Sequence, residues 1–392
     1  MTEPVRLSPV DRRLSLLAIL CSAFGVGVTI GLSTPLVAIQ LETQGYDRAT
    51  IGIVAGLYSV AIFAMGFAVP AVVRKIGTVR ALFVGTLVAV IGFAGLGLTE
   101  GVVAWALLRI LMGAGNAVDW VVSETWINQI ATEADRGRIV ATYATVWGGG
   151  VAVGPVVLSI LGTAELTAFW VAIAILVLAF VPVWVARRLA PPMDAKPLQG
   201  GVLKVAWLAP VAILVALIGG VSEGAVYPLL PLYAADYGYT AEVGVLLTAA
   251  YAAGALAFQI PVGWLADRMN RFVLLWAVTA LSALGVALVP VLIAWLGSAM
   301  AWAFVWGGLV SGLYTLGLTV IAQRFQSGDI ASANAAFIAA YTLGMLIGPI
   351  AAGSGMEALG SDGFIWVLAG SLVLLLVMGP PLRALVERRR GG

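Results

Sequence analysis

The chain has 392 residues, of which 61% are hydrophobic and only 10% charged, with a mean hydropathy of +1.05. Soluble globular domains do not reach this apolar content, which points to a polytopic membrane protein. The net charge of +2 arises from 21 basic and 19 acidic residues that form no single patch, so nucleic-acid binding has no footprint.

Crossing a hydrocarbon core of roughly 30 Å takes about 20 apolar residues in a helix. Uncharged stretches of that kind fall, in chain order, at 14–41, 49–73, 79–99, 101–131, 138–163, 167–186, 204–235, 241–266, 272–293, 296–323, 330–356 and 363–382. They are continuously apolar, whereas strands of a membrane barrel alternate lipid-facing and lumen-facing residues. The expectation is therefore an all-α membrane protein with twelve transmembrane helices, in which internal Gly and Pro are tolerated.

Arg6, Arg12 and Arg13 precede a first span too long for the apolar region of a signal peptide, so this span is expected to stay in the mature protein. Lys and Arg are retained on the cytoplasmic side of short loops. An inside N-terminus sorts 19 of the 21 basic residues to that face, leaving Arg48 outside and Arg109 within the fourth span. Both termini are expected in the cytoplasm, and the lack of long loops fits a bacterial inner membrane. Cys21 stands alone, which excludes an internal disulfide and leaves it a packing role.

The sequence repeats itself at a shift of 193 residues. Pro35 maps to Pro228, Gly45 and Tyr46 to Gly238 and Tyr239, Tyr58 to Tyr251, and Gly115 to Gly308. One further residue of shift carries Gly150, Gly154 and Pro155 onto Gly344, Gly348 and Pro349. The halves are expected at 1–186 and 204–392, joined by a polar, Pro- and Gly-rich cytoplasmic hinge at 187–203.

The fourth span holds the densest chemistry. Asn116, Trp120, Glu124 and Asn128 recur at steps of four and form one stripe, flanked by Asp119 and Ser123. Such a stripe must face protein or water. Glu124 lies about 12 Å from the helix midpoint at the usual rise per residue, still within the hydrocarbon. Glu223, near the middle of the seventh span, is deeper. Ionisable groups at such depth are functional by default, which makes Glu124, Asp119, Glu223 and Arg109 candidate proton-coupling groups, with Glu124 the principal one. Their bland alternative is bracing of helix packing. Trp120, Trp147 and Trp306 are placed to line a cavity, while other tryptophans near helix ends form aromatic belts.

Gly263-Trp-Leu-Ala-Asp267-Arg268-Met-Asn-Arg271, between spans eight and nine, resembles the GxxxDRxGR loop of the major facilitator superfamily. Arg109-Ile-Leu-Met-Gly113-Ala-Gly115 resembles its RxxxGxG motif, and Gly150-xxx-Gly154-Pro155 part of its antiporter motif, without the trailing glycines. Two parallel six-helix repeats around a central site are the arrangement of that superfamily. The run Trp120-Val-Val-Ser-Glu124-Thr125 looks like its YcaD-type branch, whose members mostly lack an assigned substrate.

The resemblance implies a latch in which Asp267 meets a helix N-terminus of the opposite half. The first-half counterpart carries Arg74, followed by Lys75, where an aspartate belongs at the Arg74 position, and Arg136 matches Asp329 across the repeat, so both members have changed sign. The pairs expected are Asp267 with Arg136 or Arg138, and Asp329 with Arg74 or Lys75. The alternative is that these are ordinary loop charges of little individual worth. The glycines and prolines of spans five and eleven are read first as close-packing and kink positions.

Together these features indicate a secondary transporter of a small solute by alternating access, expected to be proton-coupled, with export or antiport slightly favoured. A proton symporter for uptake, or a transport-inactive receptor or scaffold of the same fold, are the alternatives. The chain has no histidine, no metal-ligand cluster, no nucleophile with a base and no P-loop, so neither an enzyme nor a resident cofactor or metal is expected. The partners expected are the solute, the bilayer and protons, with no obligatory protein partner evident.

Overall fold

A computed structural model of the chain describes residues 8–132, 135–164, 167–191, 205, 207–325 and 330–391. Twelve long helices run through it: α1 (Pro9–Thr43), α2 (Arg48–Ile76), α3 (Thr78–Leu98), α4 (Val102–Ile130), α5 (Arg136–Leu161), α6 (Thr167–Val185), α7 (Pro210–Asp236), α8 (Ala241–Arg268), α9 (Arg271–Ala287), α10 (Leu296–Arg324), α11 (Ile330–Leu359) and α12 (Gly363–Gly391). No strand occurs among the described residues. Eleven of the helices are long and apolar enough to cross a membrane, and α9 is the shorter twelfth. Large apolar side chains such as Leu17, Phe67, Leu178, Ile260 and Val291 are exposed, as contact with acyl chains requires.

The ninth span departs from its expected 272–293. The helix stops at Ala287 and restarts as a single turn over Val289–Leu292. Pro290 is the cause, because it donates no N–H and its ring clashes with the carbonyl four residues earlier. The seventh helix likewise begins at Pro210, later than the expected 204, with proline in its first turn. Lys196, Lys204 and Asp329 lie outside the described residues.

The repeat is visible in the helix ends. Gly45 and Gly238 close α1 and α7 with φ of 87° and 85°, a left-handed geometry that favours glycine. Each is followed by the same pair of bonds: Tyr46 N–H to the Leu41 carbonyl and Gly45 N–H to Glu42 in the first, Tyr239 N–H to Ala234 and Gly238 N–H to Ala235 in the second. That is a Schellman cap written twice. Asp47 and Thr240, again 193 apart, then cap the next helices through the N–H groups of Thr50 and Val243.

Contacts divide the chain into two compact units, residues 1–36 with 60–197, and residues 37–59 with 198–392. In the first, Ile19, Leu82, Val122, Trp126 and Val183 form a buried cluster, and the Trp126 indole donates to Ser15 Oγ at 2.8 Å. In the second, α7 packs on α11 and α8 on α10, with Ala212, Ala216, Val320 and Phe337 buried between.

Glycines set the closest approaches. A Cβ on Gly150 or Gly154 would stand 2.4 Å from the backbone carbonyls of Phe24 and Val28 on α1, which presents Gly27 and Gly31 in return. The equivalent set in the second unit is Gly344 and Gly348 on α11 against Gly220 and Gly224 on α7, with Cβ distances of 2.0–2.7 Å to backbone atoms. Small residues of this kind let membrane helices meet backbone to backbone. Gly154→Val is expected to cost about 1–3 kcal/mol and to lower the thermal midpoint of the purified protein, whereas Gly149→Val, at an open position, leaves it unchanged.

Candidate functional site

In the first unit the predicted stripe runs along α4. Arg109, Asn116 and Asp119 are buried, at 2%, 4% and 4% exposure, so the polar set begins deep inside the unit. Asp119 accepts a hydrogen bond from Ser22 Oγ of α1 at 2.8 Å. Trp120 is half-buried, and its ring stacks on Trp147 of α5 with centroids 6.4 Å apart and planes at 25°. One turn on, Glu124 is exposed and serves as hydrogen-bond acceptor for Trp120. Asn128 turns back on its own helix, its Nδ2 donating to the Glu124 carbonyl at 2.8 Å. Tyr143 of α5, which the sequence reading passed over, lies near both Asp119 and Glu124.

In the second unit Glu223 is half-buried on α7 and accepts a hydrogen bond from the Tyr341 hydroxyl of α11. Tyr341 packs edge-on against Tyr314 of α10 at 5.0 Å, and Tyr227, a turn beyond Glu223, packs edge-on against Tyr251 of α8 at 5.9 Å. Trp306 stands behind Tyr251, 1% exposed, stacked on Trp302 at 5.2 Å with its N–H on the Ser282 carbonyl. It is thus part of the packed interior of this unit and lines no exposed surface. The four tyrosines were not among the expected site residues. Trp120 and Trp147 on α4 and α5 have a counterpart in Tyr314 and Tyr341 on α10 and α11, so each unit carries an aromatic pair near an acidic side chain.

A polar cluster gathers at the end of the second unit that carries the α1–α2, α7–α8 and α11–α12 turns. Arg48 binds Asp236 through both Nη atoms, Nη2 at 2.6 Å from Oδ1, and also reaches Glu42 Oε1 at 3.0 Å. Ser361 Oγ donates to Asp236, and the hydroxyls of Tyr233 and Tyr237 donate to Asp362 at 3.4 and 3.1 Å. Below it, Gly52 and Gly353 let α2 and α11 touch, a Cβ at either standing 2.1–2.2 Å from a backbone carbonyl of the other helix. An open pocket of about 410 Å³ beside the ion pair is lined by Glu42, Tyr46, Asp47, Asp236 and Glu357 among others.

At the opposite end, Asp267 is exposed, with Arg271 Nη2 at 3.9 Å as an ion-pair partner. Arg271 also donates to the carbonyls of Ala266 and Thr319, holding the α8–α9 turn on α10. Arg268 lies over the Trp264 ring at 3.9 Å. Gly263 is half-buried with open space beyond its Cα, and Arg74, Lys75, Arg136 and Arg138 are exposed at helix ends.

Sequence reasoning also missed Arg12, whose Nη2 meets Asp135 Oδ2 at 2.6 Å while its Nε donates to the Ile130 carbonyl. The Arg12 hydrogen bond, helped by Thr132, holds the Asp135 carboxyl down to about 2. A depressed carboxyl contributes stability that is full above its ordinary value and is lost as pH falls toward the folded one. Asp135→Asn is therefore expected to remove part of the loss in thermal midpoint that the wild type shows between pH 4 and pH 2; equal acid sensitivity in both would contradict it.

No group of three or more His, Cys, Asp or Glu among the described residues is placed to hold a metal ion.

Comparison with known proteins gives a consistent set. The profile of the Major Facilitator Superfamily matches residues 16–247 and 212–391. The chain is 26% identical over 372 residues to the uncharacterized MFS-type transporter YfkF of Bacillus subtilis (strain 168), covering 91% of this chain and 93% of that protein. It is 27% identical over 358 residues to the uncharacterized MFS-type transporter YcaD of Escherichia coli O7:K1, covering 90% and 91%. Among solved structures, a bacterial homolog of the human lysosomal transporter Spinster, inward-facing and unoccupied, aligns with a TM-score of 0.79 at 15% identity over 97% of this chain and 98% of that one. A mutant of the nucleoside transporter NupG aligns at 0.76 and 14% identity over 95% and 99%.

Proposed function

Since the chain belongs to the major facilitator superfamily, a family of membrane transporters of the YcaD type here, we propose that it moves a small solute by alternating access, driven by protons. The observation that carries the coupling is Glu124, a carboxylate inside a membrane helix that is exposed while hydrogen-bonded to Trp120, whose ring stacks on Trp147. Such a group, wherever its surface meets water, can take and release a proton as its surroundings change. Asp119, Asn116 and Arg109 are the buried polar support of that position, and Glu223 is the acid of the other half. Exchange of an exported solute for protons is the direction we favour.

The units exchanging access are two pseudo-symmetric six-helix bundles, 1–186 and 204–392, linked through 187–203, with both termini in the cytoplasm of a bacterial inner membrane. In this orientation the Arg48–Asp236 cluster lies at the outer end of the second unit. The charge-swapped pairs, Asp267 with Arg136 or Arg138 and Asp329 with Arg74 or Lys75, form the inner one. Reversing Asp329 and Arg74 singly should abolish transport and reversing both should restore it; absence of rescue would remove the inner pairing.

The direct test reconstitutes the purified protein in proteoliposomes and follows candidate solutes under an imposed pH gradient. Flux that follows the gradient in sign and size supports the reading. Flux indifferent to the gradient removes proton coupling, and absence of flux across the whole panel favours a receptor role.

A further inference from the structure

Along α7, α8, α10 and α11, Glu223 is the one Asp, Glu, Lys or Arg that lies away from a helix end. A carboxylate at that depth is costly to leave unpaired and must be matched by a proton or a cation. Among the described residues no Lys or Arg is paired with it; its hydrogen-bond partner is the Tyr341 hydroxyl. The titratable groups that face it are phenols: Tyr227 on its own helix, Tyr251 from α8, Tyr341 from α11 and, behind Tyr341, Tyr314 from α10. No titratable residue of α12 lies between its first turn and Arg383.

Two features set this group apart from a buried brace. Glu223, Tyr227, Tyr314 and Tyr341 all keep part of their surface uncovered, whereas Tyr251 and Trp306 behind them are sealed at 1%. The ring arrangement is also held from outside: Tyr314 is wedged edge-on by Phe337 at 5.2 Å, and Tyr251 rests on Trp306 at 5.3 Å. An anion with aromatic faces fixed around it attracts a positive charge through both the carboxylate and the ring quadrupoles. Phenol rings offer too few oxygens for the six or more oxygen ligands of a calcium-like ion, which favours an organic cation.

We propose that the second half carries a binding site for a lipophilic organic monocation of the quaternary ammonium or phosphonium class, with Glu223 as counter-charge and Tyr227, Tyr314 and Tyr341 as its walls. This rests on the transporter reading and names the solute class for it. One carboxylate holds either the proton or the cation, so each displaces the other, and binding of one releases the other.

Tetraphenylphosphonium binding to the purified full-length protein in detergent, measured by equilibrium dialysis at pH 8 and pH 5, tests this. The wild type should bind at pH 8 and weaken by more than about tenfold at pH 5. Glu223→Gln should lose binding at pH 8 by a similar factor. Glu223→Asp should keep it together with its pH dependence, and Tyr341→Phe, which retains the ring, should bind within about threefold of wild type. Unchanged binding in a monodisperse Glu223→Gln protein would overturn the assignment, as would no binding by wild type. A protein that binds the probe yet moves no solute in proteoliposomes leaves the cation site standing and removes the transporter reading. Gradient-driven flux of a neutral solute without probe binding does the reverse.

Discussion

Glu124→Gln is expected to abolish solute movement driven by a pH gradient, by more than about tenfold, while solute-for-solute exchange without a gradient continues. Glutamine has the same size, and its side-chain oxygen still accepts the Trp120 hydrogen bond, so the Trp120–Trp147 stack has no reason to move. What is lost is the ability to take up a proton. A tenfold change corresponds to about 1.4 kcal/mol, well below what losing the coupled step entirely would produce. Asp119→Asn should have the smaller effect, because Asp119 is enclosed and already held by Ser22. Both arms are read in one proteoliposome preparation, and full gradient-driven flux in the Glu124→Gln protein would dismiss it as the coupling group.

The second large effect is expected at Arg48. Its guanidinium lies between Asp236 and Glu42, with 18% of the side chain exposed, so Arg48→Asp would set three carboxylates against one another. Partly exposed pairs are screened and worth less than buried ones. A shift of roughly 1–2 kcal/mol in the equilibrium between closed and open forms still changes their ratio about tenfold or more. Transport should fall accordingly, and amide exchange should accelerate in the α1–α2 turn around Gly45. Arg48→Asp combined with Asp236→Arg should recover part of both. Unaltered exchange rates in the single variant would show that the ion pair does not hold this end together.

Much of this architecture is legible in the residues. Apolar run length encodes the twelve helices, and the recurrence of Gly-Tyr at 45 and 238 marks two matching helix ends. The misreading at the ninth span is instructive, because hydropathy is blind to Pro290, whose missing N–H ends the helix inside an apolar run. The site was legible only in part. The steps of four along α4 expose its stripe, since they are a property of one helix. The partner of Glu223 is 118 residues away and depends on the register of α7 against α11, which no local pattern encodes. Arg48 and Asp236, separated by 188 residues, are hidden for the same reason. Trp306 illustrates the converse: its place away from the helix ends suggested a cavity wall, but burial depends on Trp302 and Tyr251 filling the space around it.

The glycine contacts between α1 and α5, and between α7 and α11, have a mechanical meaning. Where two helices touch through carbonyls and Cα atoms, no rotamers lie between them, so the joint has nothing soft to compress or reshuffle. Each couple therefore transmits displacement as a stiff strut. A push on Trp147 or Tyr341, which project from the same helices one turn before Gly150 and Gly344, arrives at the far end of α1 or α7 undamped.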